Sequence, residues 1–95
     1  MLVLLLVIAS YNQYTFAKVT PVTVNDDLQK VLNASQDGDV ITLSAGKYLG
    51  NFIIAKQITL RGENGTVIDA QGHGHGLVLK NSYITIDSLN IIKIV

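Results

Sequence analysis

Two short patterns carry side chains able to do chemistry. In Gly72-His73-Gly74-His75-Gly76, two imidazoles stand two residues apart and share a side if the backbone is extended. Imidazole nitrogen suits copper or zinc, so His73 and His75 are the candidate metal ligands. Two ligands do not close a site, and the sequence offers no cysteine, no adjacent methionine and no third histidine. A polar surface turn accounts for the same residues. The pattern is not a dinucleotide fingerprint, because the glycines recur at every second position and a strand-like "LVL" follows.

The second pattern is Asp69 and Asp87, 18 positions apart, with Arg61 as the sole arginine. Acid–base work on a glycosidic bond needs two or three acids converging on one face with shifted pKa values. A separation of about one structural repeat would allow the two aspartates to stack. An aspartate on a solenoid surface is more often a turn or solubility residue, and Asp69 sits beside a turn, where a carboxylate accepts local backbone N–H bonds. No stretch matches a catalytic motif, so no catalytic residue is assigned. Asn33-Ala34-Ser35 and Asn64-Gly65-Thr66 also read as glycosylation sequons.

The elements that position these residues must come from a small chain. Its 95 residues carry seven basic and seven acidic side chains and no cysteine. Charge balance without a basic stripe argues against nucleic-acid binding, and disulfide staples are excluded. The opening "MLVLLLVIA" is too short to span a bilayer and precedes polar "SYNQYTFA". Thr15 and Ala17 supply small residues at the −3 and −1 positions, so an export signal over residues 1–17 is expected. No Lys or Arg precedes the apolar run.

Residues 18–39 read as an extended lead-in followed by a capping helix. Pro21 and alternating valines suit extended chain, and Asp26 with Gln29 reads as a capping box. Leu28, Val31 and Leu32 then form one apolar stripe, ending near Ser35.

From residue 40 onward, short apolar runs alternate with Gly, Asn and Asp punctuation. The words "ITL" at 41, "ITL" at 58 and "ITI" at 84 predict stacked solenoid rungs. Ile41, Leu43, Ile58, Leu60, Ile84 and Ile86 would point inward, while Thr42, Thr59 and Thr85 would form an outer ladder. An antiparallel sandwich also offers short strands, but it requires hairpin turns between matched strands, and Asp37-Gly38 follows the helix instead. A solenoid exposes its end rungs, so the helix is expected to serve as a lid. The chain stops within "LNIIKIV", in mid-strand, which suggests a piece of a longer protein or an open rung that pairs with another chain.

Four pieces carry a family resemblance: "GD" at Gly38 and Asp39, "AGKY" at 45–48, "ITLRGE" at 58–63 and "IDAQG" at 68–72. Together they resemble the N-terminal rungs of right-handed parallel β-helix proteins of the pectin-lyase-like superfamily. Within it they most resemble the NosD-like group, periplasmic copper-binding accessory proteins of nitrous oxide reductase maturation. The resemblance implies an all-β solenoid with two to three rungs over residues 40–95, and a framework role for these motifs. It makes copper the candidate metal for His73 and His75.

The expected function is an exported, non-catalytic scaffold that binds carbohydrate, a metal-handling partner or another protein. A carbohydrate-active enzyme and a self-associating surface repeat are the alternatives.

Overall fold

The computed structural model describes residues 17–92. The export segment expected over residues 1–17 lies, apart from Ala17, outside the described residues. The elements run β1 (Val19–Val22), α1 (Leu28–Ala34), β2 (Val40–Leu43), β3 (Gly46–Leu49), β4 (Phe52–Ile54), β5 (Thr59–Gly62), β6 (Thr66–Asp69), β7 (Leu77–Leu79), β8 (Thr85–Asp87) and β9 (Asn90–Ile92).

Parallel strands cannot be joined by a two-residue hairpin, so a chain of three- and four-residue strands pairs in parallel only by travelling round a circuit. This chain does so. Its sheets are ordered β1-β2-β5-β8, β3-β6-β9 and β4-β7, and every pairing is parallel. The result is a β-solenoid of about four turns, with β1 opening the longest sheet. An antiparallel sandwich is thereby excluded. The extended lead-in is itself a strand, and Pro21 sits where a missing N–H is tolerated, on the edge of its sheet.

The core is a set of stacked columns. Ile41, Leu60 and Ile86 form one, Tyr48, Ile68 and Ile91 a second, and Ile54 and Leu79 a third. Burial is nearly complete in the earlier turns, with Leu60 and Ile68 at 0%. It fails in the last one, where Ile91 and Leu79 are both 48% exposed. Tyr48 is buried, and its hydroxyl reaches Ser44 O at 2.9 Å and Val22 O at 3.1 Å, tying one turn to the strand before it.

The inward and outward assignment of the repeated words matches the burial of Ile41, Leu43, Ile58 and Leu60, but the stacking differs from expectation. Ile41 lies over Leu60, not Ile58, and Leu43 lies over Gly62. Thr59 stacks with Thr85 as expected, while Thr42 stacks with Arg61. A slip of two residues keeps each side chain on its own face, so the apolar pattern alone cannot distinguish the registers. Backbone bonds at the corner decide it: Gly38 N donates to Gln57 O (2.7 Å), and Gln57 N donates to Asp37 Oδ1 (2.9 Å). Thr59 N then donates to Asp39 O (3.0 Å).

Gly38 and Gly46 have φ of +94° and +139°, the region that favours glycine. Gly62 does not; its requirement is space. A Cβ there would meet Ser88 O and Thr66 Cβ, each at 2.8 Å.

Helix α1 begins later than the capping box predicts. Asp27 is the N-cap, accepting from Lys30 N (3.2 Å), because Asp26 is already engaged by Thr23 N (2.8 Å) in the preceding turn. Leu28 and Leu32 are buried in the solenoid core, and Lys56 Nζ donates to Ser35 O (3.0 Å) just past the helix. Gln29 is not a capping residue. Its amide accepts from Ile53 N (2.8 Å) and donates to Ile53 O (3.0 Å), as a neighbouring strand would, on the edge of β4.

Two stability outcomes follow. Gly62→Ala gains about 0.4–1 kcal/mol from a stiffer unfolded chain, but overpacking against fixed backbone costs roughly 1–3 kcal/mol. A net loss is expected in urea denaturation. Gln29→Ala removes two bonds to one edge residue and should cost about 1 kcal/mol; faster amide hydrogen exchange at Ile53 would report it.

Candidate functional site

The outer face of the longest sheet carries the one salt bridge among the described residues. Alternation on β5 and β8 turns Arg61 and Asp87 outward in the same column, next to each other in register. Arg61 Nε lies 3.3 Å from Asp87 Oδ2, and Ser88 Oγ donates to Asp87 Oδ1 at 2.7 Å. Ser88 has a φ of +61°, a conformation unusual for a residue with a side chain. The Ser88 hydroxyl and the Arg61 guanidinium hold the Asp87 carboxyl below the ordinary value of 3.8.

Beside this column, a cleft of about 470 Å³ opens between two successive corner turns. Asn64, Thr66, Ser88, Leu89 and Asn90 line it, together with two glycines. Its side-chain polar groups are uncharged amides and hydroxyls.

Asp69 is not part of this site. It belongs to β6, in a different sheet from Asp87, is 3% exposed, and accepts from Gln71 N (2.7 Å) in a tight turn. The stack of Asp69 on Asp87 that the spacing would allow therefore does not form, and Asp69 takes the turn role instead. An 18-residue separation looked like one turn, but the turn that ends at β8 is longer: Leu60 and Ile86 are 26 residues apart in register.

His73 and His75 are exposed in the corner between β6 and β7. The corner is built from the main chain, with Gln71, Gly72 and Gly74 at φ of 56°, 77° and 66°. Asn51 Nδ2 donates to the carbonyls of both histidines, at 2.7 Å for His75 O. Among the described residues no group of three His, Cys, Asp or Glu side chains is placed to hold a metal ion. Sequence reasoning missed Asn51. Its only signal is a Gly-Asn pair standing where the next turn carries the histidine corner.

Both sequons place their hydroxyl inside the fold. Ser35 Oγ is bonded to Leu32 O, and Thr66, 1% exposed, has its Oγ1 at 3.3 Å from Leu43 O.

No protein-family profile and no solved structure matches the chain. Against curated proteins, it is 40% identical over 60 residues to the probable ABC transporter binding protein NosD of Pseudomonas aeruginosa. Over that stretch the chain is similar to NosD. The match covers 63% of this chain and 14% of the relative. The parallel circuit described above is what the resemblance to NosD implies for the fold. No helix among the described residues is long and apolar enough to cross a membrane.

The lowered Asp87 pKa fixes the sign of a pH effect. A carboxyl that ionises more easily when folded adds stability above its unfolded pKa, and that stability is lost as pH falls through the folded value. Asp87→Asn should thus be slightly less stable than the parent at pH 7. The two should converge below pH 3.8, as read from urea midpoints across a pH series. Both partners are half exposed, so salt should shrink the difference as well.

Proposed function

We propose that this chain is a NosD-like, exported, non-catalytic binding scaffold, a right-handed β-solenoid whose helix α1 serves as the lid of the first turn. The observation that carries the reading is the 40% identity with NosD over 60 residues, in a chain that folds into stacked parallel turns. The relative's name, an ABC transporter binding protein, supports an accessory role at a transporter. Handedness rests on the strong preference of parallel crossovers for the right-handed path. The lid reading rests on Leu28 and Leu32, which lie in the core, and on Gln29, which occupies the β4 edge.

The non-catalytic reading is supported by the separation of Asp69 from Asp87, which leaves Asp87 paired with a cation instead of a second acid. The cleft of amides and hydroxyls beside Ser88 suits a neutral, hydroxyl-bearing ligand such as a carbohydrate. Copper at His73 and His75 remains part of this proposal, and further ligands would have to come from a partner.

A second reading is self-association through the last described turn, where inward-facing Leu79 and Ile91 are half exposed. Parallel edges left unpaired are templates for strand addition.

Three measurements on the full chain test these readings. Fused ahead of alkaline phosphatase in a Gram-negative host, it should yield active periplasmic enzyme; retention in the cytoplasm would sink the export reading. Release of new reducing or unsaturated ends from acidic polysaccharides, abolished by Asp87→Asn, would overturn the non-catalytic assignment. Sedimentation velocity over a concentration series should show association under the second reading, and a strict monomer would eliminate it.

A further inference from the structure

The one Asp-Gly and the one Asn-Gly dipeptide, Asp37-Gly38 and Asn64-Gly65, sit at exposed corners yet differ in how their reacting atoms are held. In such a pair the glycine nitrogen can attack the side-chain carbonyl carbon, unhindered by a Cβ on the glycine. The attack needs a free amide nitrogen and a side chain able to swing onto it.

At Asp37-Gly38 both are restrained. Gly38 N donates to Gln57 O at 2.7 Å, and Asp37 Oδ1 accepts from Gln57 N at 2.9 Å. At Asn64-Gly65 neither is. Among the described residues, the bond that closes this turn runs from Thr66 N to Glu63 O (3.0 Å), and Gly65 takes part in the ladder through its carbonyl, which accepts from Gly46 N (3.1 Å). Neither bond uses the Gly65 nitrogen or the Asn64 amide. Gly65 has a φ of +94°, and the space around its Cα is open, with Ala45 Cβ at 3.6 Å from an added Cβ.

We propose that Asn64 is a spontaneous modification site, deamidating through a cyclic imide with Gly65, and that the fold protects Asp37 from the matching reaction.

The step balances without a cofactor. Gly65 N loses its proton to solvent base and bonds to Asn64 Cγ. The Cγ–Nδ2 bond breaks, and the nitrogen leaves as ammonia after taking up a proton. Water then opens the five-membered imide at one of its two carbonyls. Cleavage at Cγ gives aspartate, and cleavage at the main-chain carbonyl gives isoaspartate. Either product places a new carboxylate beside Glu63 on the rim of the cleft lined by Ser88 and Asn90. Isoaspartate also lengthens the main chain inside the turn that leads into β6.

The test is ageing of the full chain in mildly alkaline buffer, followed by peptide mapping that separates Asn, Asp and isoaspartate. Conversion at Asn64 should run several-fold faster than at Asn25, Asn33, Asn51, Asn81 or Asn90, with Asp37 unchanged. In urea, Asp37 isomerisation should accelerate while Asn64 changes little. The charge heterogeneity of the aged protein should vanish in Asn64→Gln. Conversion at Asn64 no faster than at Asn51, or a large acceleration at Asn64 on unfolding, would overturn the proposal. The latter would mean that the turn shields the site.

Discussion

Stacking in register is the constraint from which the rest of this structure follows. Each turn forms its backbone hydrogen bonds with the turns before and after it, so an inward residue on one turn fixes what fits on the next. Ile41 over Leu60 over Ile86, and Tyr48 over Ile68 over Ile91, are the result. The columns bury apolar surface without a large interior. That is how a chain with no cysteine and fewer than a hundred residues assembles a core.

The same constraint makes the two ends of the coil chemically unlike. At the first turn, helix α1 contributes Leu28 and Leu32 to the core, and one glutamine amide satisfies the donor and acceptor of Ile53. At the last described turn, the inward residues are in place but half exposed. Function is accordingly sought on the outer sheet face and at the corners, where Arg61, Asp87 and Ser88 form one hydrogen-bonded cluster.

The architecture was legible in the sequence because two signals were strong. The β-words recur, and their alternation assigns Ile41, Leu43, Ile58 and Leu60 inward whichever neighbours they meet. The register was not legible, because a slip of two residues preserves that alternation and the deciding bonds run through Gly38 and Gln57 main chain. Asp69 does the local turn work expected of an aspartate beside a turn; only its stacking on Asp87 fails, because counting residues assumes turns of equal length. Asn51 escaped notice and Gln29 was given the wrong role because a lone amide gives no sequence signal that its partner is a backbone more than 20 residues away. The capping-box reading at Asp26 went wrong because two neighbouring aspartates compete for that role, and Asp26 is already bonded to Thr23.

The unequal turns have one main source. β3 and β4 are joined by two residues, whereas the corresponding corner between β6 and β7 holds seven, and both corners lead into strands that pair in register. Asn51 grips the base of the longer corner through two carbonyls, so the extra residues bulge outward and the strands on either side keep their places. Chain length and scaffold geometry are thereby uncoupled at this corner. It behaves as an insertion port, where a different peptide could be carried on a rigid footing without re-registering the coil.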